Sequence, residues 1–347
     1  MTDMNFWRIT LDTNPDFCNL KCIMCEDHSP YSESKQERKA NGRLRPIMPK
    51  AMLEKTIREA AALGIREVIP STMGEPLLYP HFEVFLDLCK ELNLSLNLTT
   101  NGTFPAPEKH QNVEYWAERI VPIGSDVKIS WNGATQETHS EIMIGADLDK
   151  HIKNAKRFIG VRDQHAEKNY CSVTMQLTFL RSNLEEIPTL VDMAIEMGFD
   201  RVKGHHLWDH FAETEALSLR KDIRFAERWN QIVEVCQAKV QSHNLSSLRK
   251  FKLENFFPLS LDDLSDIAPG GECPFLGREL WVDPKGALNV CCAPDQQRKS
   301  LGDFGNVNDA SLESLINRPQ YRSLMSTYQN HPLCQSCNMR KPNASSI

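Results

Sequence analysis

Six times within its first 240 residues the chain passes from a short β-forming run to an amphipathic helical one. The pairs are "FWRITLDT" with "MLEKTIREAAAL", "REVIPST" with "HFEVFLDLCKEL", "LSLNLTT" with "EYWAERIV", "VKISWNG" with "DLDKHIKNAKRFI", "CSVTMQLTFL" with "LEEIPTLVDMAIEMG", and "RVKGHHLW" with "IRFAERWNQIVEVCQAKV". This order leaves few folds open, because each strand must run parallel to the last with a helix covering the return. The expected class is α/β, doubly wound or a barrel. Gly64 and Gly198, each just before a new strand, mark helix ends.

Parity within the strands narrows the choice. Cys171, Val173, Met175, Leu177 and Phe179 fall on one face, opposite Ser172, Thr174, Gln176 and Thr178. Leu94, Leu96 and Leu98 likewise oppose Ser95, Asn97 and Thr99, and Val127, Ile129 and Trp131 oppose Lys128, Ser130 and Asn132. Strands buried on both faces are apolar on both, and a closed eightfold barrel is filled with branched side chains. A polar inner face therefore implies a barrel wide or open enough to hold a polar ligand. Past residue 244 the period is lost in a linker ending at Pro269, Gly270 and Gly271. A compact cysteine-rich tail follows. "ELWVDPKGALNVC" predicts a β-hairpin turning at Pro284 to Gly286, and "SLESLINRPQYRSLMSTY" a helix broken near Pro319.

The chain carries eleven cysteines, too odd a count for a secreted disulfide framework and better suited to metal ligands plus buried thiols in a reducing, cytoplasmic setting. A net charge of -6 and the lack of a basic stripe argue against nucleic acid as a partner. "KQERKANGRLR", broken by Glu37, fits a solvated loop. No run approaches the roughly 20 apolar residues of a membrane span, and the first residues lack a signal-peptide core.

Three cysteines stand within "CNLKCIMC" and no fourth is near. Thiolates of Cys18, Cys22 and Cys25 can hold three corners of a 4Fe-4S cubane and leave the fourth iron open to a small chelating ligand. Structural zinc is the alternative; it needs a further donor, for which His28 is the near candidate.

These residues resemble the radical SAM superfamily, whose members bind S-adenosylmethionine (SAM) on a cluster held by C-x3-C-x2-C after the first strand. The resemblance implies a partial (β/α)6 TIM-like barrel over roughly residues 6 to 210. "TMGEP" at the end of the second strand resembles the family's G-G-E-P, so Gly74, Glu75 and Pro76 are expected at the SAM amino group, with Met73 in place of the first glycine. "TTNG" and "SWNG" resemble further SAM contacts, which makes Thr99, Asn101, Ser130 and Asn132 candidates for its carboxylate and ribose. Met24 is expected to pack on the adenine, and Gln176 faces the same polar lumen. The tail resembles the SPASM or twitch extension, a β-hairpin plus helix. Cys273, Cys291, Cys334 and Cys337 are then expected to bind one auxiliary 4Fe-4S cluster, with Cys292 competing with Cys291. The implied domains are a barrel core at 1–210, a last helix and linker at 211–268, and the auxiliary-cluster domain at 269–347.

What the resemblance implies chemically is a 5'-deoxyadenosyl radical that takes hydrogen from an unactivated C–H bond, with an outside one-electron donor such as flavodoxin or ferredoxin. The radical must be shielded from water, and the long loop 27–49 is either a cover or a plain surface loop. Lys203 and His205, on the polar face of the sixth strand, and Asp209 and His210 beyond it are candidate bases; Cys292 is a candidate hydrogen donor. Cys89, Cys171 and Cys236 are expected to be inert buried thiols. The leading expectation is an oxidoreductase or epimerase acting on a small polar metabolite, aminocyclitol or sugar-like. The alternative is a maturase of ribosomally made peptides, although the first strand starts within about ten residues and leaves no room ahead of it for a winged-helix leader-binding domain. A non-catalytic iron-sulfur or zinc protein explains the cysteines but not "TMGEP" or the polar lumen.

Overall fold

Each of the six β-forming runs is a strand: β1 (Arg8–Leu11), β2 (Glu67–Ile69), β3 (Ser95–Thr100), β4 (Gly124–Ser130), β5 (Ser172–Phe179) and β6 (Arg201–His206). The computed structural model describes residues 4–71, 73–106, 108, 111–264, 271–293, 295–337 and 339–340; Thr72, Pro269 and Gly270 lie outside them. The matching helices are α1 (Lys50–Ala62), α2 (Phe82–Glu91), α3 (Val113–Ile120), α4 (Leu148–His165), α5 (Ile187–Met197) and α6 (Ile223–Ser246). Local chemistry sets their ends. Asn112 and Asp147 accept hydrogen bonds from the Tyr115 and Lys150 amides at 2.8 and 3.0 Å, capping α3 and α4. Gly198 closes α5 at φ +85°, and Gly64 follows α1 at φ +83°.

Three short strands extend the six: β7 (Lys252–Glu254), β8 (Glu279–Val282) and β9 (Leu288–Asn289). The order is β9-β8-β1-β2-β3-β4-β5-β6-β7, parallel throughout except for the β8–β9 hairpin. The sheet is therefore open, with β9 and β7 at its edges. β7 falls inside the expected linker, where three residues between aromatic neighbours show no alternation to find. The β8–β9 hairpin turns at the expected place, with Gly286 at φ +90° and Asp283 accepting from the Lys285 and Ala287 amides at 2.8 Å. Because β8 pairs with β1, the cysteine-rich tail shares the barrel's sheet. The expected broken helix is two, Leu312–Ile316 and Pro319–Thr327, with Pro319 opening the second.

Strand parity holds. Leu96, Leu98, Val127, Ile129, Val173, Met175, Leu177 and Phe179 are buried at 1% exposure or less beneath the helices, each contributing roughly 1.5–3 kcal/mol of burial. The polar face divides in two, because its lower half is filled by an ionic belt. Glu67 takes Arg8, Ser125 and Asn97 at 2.5, 2.5 and 3.2 Å. Glu279 takes Thr10 at 2.7 Å, Asp126 takes Thr174 and Arg201 at 2.8 and 3.3 Å, and Glu254 takes Arg201 at 3.2 Å and also Lys203. Alternation reveals a polar face, but not which of its members already have partners.

Candidate iron-sulfur and cofactor sites

Cys18, Cys22 and Cys25 lie in the loop leaving the C-terminal end of β1, where barrel active sites gather. A two-residue ribbon, Lys21–Cys22 against Met143–Ile144, pins the loop, and Leu20, Ile23, Ile142, Met143, Leu180 and Leu207 form an apolar bed on which Cys18, Cys22 and Met24 pack. Burial pushes all three thiols up: Cys25 to about 11, Cys22 well above the ordinary range with help from its cysteine neighbours, and Cys18 with help from Glu75. Buried thiols with so little cationic support stay protonated until a metal supplies the charge. Among the described residues, no three His, Cys, Asp or Glu side chains converge on one ion-sized point. Three thiols from one loop match three corners of a cubane and leave the fourth to a small ligand. The donor set fits a cluster.

The motif after β2 braces this loop. Gly74 has φ +79°, and a Cβ there would stand 2.3 Å from the Asn14 carbonyl and 2.8 Å from that of Phe17. Its freedom thus serves close packing on the cluster loop. Glu75 is 1% exposed and accepts from the Asn101 amide, the Thr100 hydroxyl and the Leu77 amide at 2.7, 2.8 and 3.3 Å, yet burial still lifts its pKa to about 7. Pro76 opens a buried 3-10 turn, Pro76–Leu78. Asn101 is held from both sides of its carboxamide. Its Nδ2 donates to Asn19 Oδ1 at 2.8 Å and Cys18 Sγ at 3.6 Å, and its Oδ1 accepts from the Thr103 amide and hydroxyl at 3.0 and 2.6 Å. Two donors and two acceptors are all a carboxamide offers, so this side chain positions the cluster loop and has nothing left for a ligand. Asn132 is also buried, its Oδ1 taken by the Thr178 amide at 2.8 Å. Thr99 is exposed, and Ser130 and Gln176 half-buried, on the upper lumen wall.

The second cysteine set comes from three separated segments. Cys273, Cys291, Cys292, Cys334 and Cys337 line one cavity of about 60 Å³ together with Trp208, Tyr328 and Arg340. Amides of Leu276 and Ala293 donate to the sulfurs of Cys273 and Cys291, each at 3.4 Å. The adjacent thiols differ. A hydrogen bond from Cys292, with Arg298 nearby, brings Cys291 down to about 7, while the same pairing pushes Cys292 up. Cys292 is also the exposed member. All eleven cysteines are free thiols; Cys89, Cys171 and Cys236 are fully buried, with burial lifting Cys171 and Cys236 to about 12.

Comparison with known proteins decides the family. The model of the radical SAM superfamily matches residues 15–194, and that of SPASM, an iron-sulfur cluster-binding domain, matches residues 273–338. The chain belongs to the radical SAM superfamily. It is 23% identical to the PqqA peptide cyclase of Methylobacterium nodulans over 340 residues, spanning 93% of this chain and 76% of that one. Among solved structures it is similar to Streptococcus suis SuiB bound to the precursor peptide SuiA (TM-score 0.65, 19% identity, 97% of this chain and 70% of that one) and to anSMEcpe with bound AdoMet (TM-score 0.67, 16% identity, 97% and 92%). It is thus a radical SAM enzyme using SAM and a 4Fe-4S cluster, with an auxiliary-cluster domain at its C-terminal end.

In this radical SAM enzyme the loop 27–49 is a built element. It contains the helix Glu33–Ala40 and is clamped to the cluster loop by four charges: Arg38 meets Asp16 and Asp27 at 3.1 and 2.9 Å, and Arg45 meets both at 2.6 Å. Burial alone would raise Asp16, but Arg45 and Arg38 outweigh it and hold the carboxyl below its usual range. His28, once a candidate zinc donor, instead bonds the Pro15 carbonyl at 2.8 Å and Lys35 at 2.6 Å. Tyr31 reaches Phe211 beyond β6, ring to ring at 6.2 Å. The clamp was illegible in the sequence because its partners follow no helical or strand period.

The candidate bases separate. Lys203 is ion-paired to Glu254 in the belt. His205 opens onto the lumen within 3.2 Å of Gln176, and enclosure by the barrel wall, then Lys203, brings it to about 4, so it is neutral at pH 7. Asp209 is exposed and pairs with Lys221 at 3.5 Å, while His210 lies half-buried, its pKa lowered by burial against the pull of Asp27. No helix is long and apolar enough to cross a membrane among the described residues.

Proposed function

We propose that this enzyme matures a ribosomally made peptide by radical chemistry. The leading expectation of a small polar metabolite finds no support among the relatives, and the peptide alternative takes its place. The arrangement that carries the reading is Trp208, two residues past β6 and in the wall of the five-cysteine cavity. It sets the auxiliary site beside the barrel exit, where an extended substrate reaching the lumen would cross it. The similarity to peptide cyclases across both cysteine regions supports the same reading.

Cys18, Cys22 and Cys25 would hold the SAM-binding cluster, and Cys273, Cys291, Cys334 and Cys337 the auxiliary one. The cofactor pair, when bound and reduced by an external carrier of the flavodoxin or ferredoxin kind, supplies the 5'-deoxyadenosyl radical. Gly74, Glu75 and Pro76 frame the amino-acid end of SAM, Thr99 and Ser130 its carboxylate and ribose side, and Met24 its base. His205, neutral and oriented by Gln176, is the base for a substrate proton; Asp209 and His210 stand at the rim, and the clamped cover excludes water. The working units are the barrel at 1–210, the helix and linker at 211–268 and the auxiliary domain at 269–347.

Anaerobic incubation of the reconstituted enzyme with SAM and a precursor peptide encoded beside its gene tests the reading. The expected result is 5'-deoxyadenosine formed with loss of two hydrogens from the peptide. Turnover of an aminocyclitol or sugar, with every such peptide untouched, would return the small-metabolite reading.

A further inference from the structure

Two turns approach the cofactor region from neighbouring strands, 99–102 at the end of β3 and 130–133 at the end of β4, and both finish in Asn-Gly. One buried side chain stands behind both. His151, on α4, has its Nε2 2.0 Å from where a Cβ would lie on Gly102, whose φ is +75°. The Ser130 backbone carbonyl lies against the same imidazole, and its ring centre is 4.5 Å from that of Trp131. His139, from the helix Gln136–Ile142, meets it through Nε2 to Nδ1 at 3.2 Å, and a Cβ on Gly133 would stand 2.3 Å from the His139 amide nitrogen. Gly102 is thus required by the His151 ring, and Gly133 by the helix backbone at Thr138 and His139. One turn along α4, Asn154 donates to the Gly102 and Thr103 carbonyls at 3.1 and 3.2 Å.

Packing alone does not account for two histidines here. His139 and His151 are 0% and 2% exposed, and taking two imidazoles out of water carries a desolvation cost that phenylalanine or leucine would avoid. What the pair adds over a hydrocarbon is a directional link between two helices, each pressed against a different turn.

We infer that His151, joined to His139 and assisted by Asn154, is a positioning residue that fixes the separation of the 99–102 and 130–133 turns, so that SAM affinity depends on it while assembly of the first cluster does not. The three cluster thiols also rest on Leu20, Ile23, Leu180 and Leu207 of the apolar bed, in addition to the Asn101 contact and the ribbon that follows the His139 helix. The inference rests on the reading of these turns as the SAM wall.

The test compares wild-type and variant holoenzyme by iron content and by the SAM-induced change in the electron paramagnetic resonance of the reduced cluster, titrated to give a Kd. His151→Ala should keep wild-type iron and raise the SAM Kd about tenfold. His151→Phe, which keeps a ring on Trp131 but loses the link to His139, should fall between the two, and Asn154→Ala should raise the Kd a few-fold. An unchanged Kd in iron-replete His151→Ala overturns the inference, as does loss of iron in step with loss of SAM binding, which would make His151 an ordinary core residue. Should His151→Ala not fold, Asn154→Ala decides by the same two readouts. A wild-type enzyme that holds its cluster but gives no SAM-dependent signal refutes the cofactor reading itself, and this inference with it.

Discussion

The two cysteine regions solve one problem, holding thiolates in a low-dielectric interior, with opposite means. At the front of the barrel three thiols come from one short loop, all with pKa values raised by burial, beside a buried carboxylate, Glu75, also raised. At the tail the donors come from three segments, at Cys273, Cys291 and Cys334 to Cys337, and protein cations stand close: Arg298 helps bring Cys291 down, and Arg340, 3% exposed, donates to the Cys334 carbonyl at 3.2 Å. Burial still raises Cys273 and Cys334, so the contrast is one of degree. The front site waits for positive charge from its cofactors, and the tail site brings part of its own. An electrostatically incomplete pocket suits an open cluster with a cationic ligand, and one partly compensated by protein cations suits a closed cluster.

The sharpest way to break this contrast is to remove one ligand from each side. Cys25→Ala should abolish 5'-deoxyadenosine formation, together with any SAM-dependent spectroscopic change. Cys334→Ala should leave SAM cleavage within a few-fold of wild type while abolishing modified peptide. If both variants lose SAM cleavage equally, the division of labour is wrong. A finer cut lies within the tail. Cys291→Ala should lose about half the iron, the auxiliary share of two 4Fe-4S clusters, whereas Cys292→Ala should keep it. The reverse result would make the exposed thiol the ligand.

The six β-then-α units, the apolar outer face, the hairpin at Gly286 and both cysteine sets were legible because each rests on local order, such as period, parity, turn chemistry or ligand spacing. What stayed hidden was pairing at a distance. Lys203 pairs with Glu254, fifty-one residues on, and Asn101 spends its hydrogen bonds on the cluster loop and its own turn. Arg38 and Arg45 sit in what reads in the sequence as a solvated loop. The cause is the same each time: a sequence shows that a polar group is present and not whether it is already satisfied.

The cover extends the comparison, because the clamp of Asp16, Asp27, Arg38 and Arg45 serves the front site only. Arg45→Ala removes one partner and leaves two buried carboxylates facing a single arginine, a change that in buried pairs costs on the order of 3–5 kcal/mol locally. With the cover loosened, water and solvent hydrogen reach the lumen. The expected outcome is a ratio of 5'-deoxyadenosine to modified peptide raised several-fold, with iron content unchanged. A ratio equal to wild type would reduce the loop to a surface feature.

The smallest effect tests the charge argument directly. Glu75 titrates near 7 in the folded chain against an ordinary 4.5, so between those values the native state holds a proton that the unfolded state has lost. Stability contributed by this group is therefore present below about pH 4.5 and falls as pH rises toward 7, by up to about 3 kcal/mol in the cofactor-free protein. Urea unfolding of that protein at pH 5 and pH 8 should show a loss that Glu75→Gln, neutral throughout, largely removes; equal pH slopes for the two proteins would refute the assignment. Loading the cluster and SAM should flatten the wild-type slope as well, because cationic character beside the carboxylate lowers its pKa toward the unfolded value. No matching carboxylate effect is expected at the tail, where Arg298 and Arg340 already stand beside the cysteines.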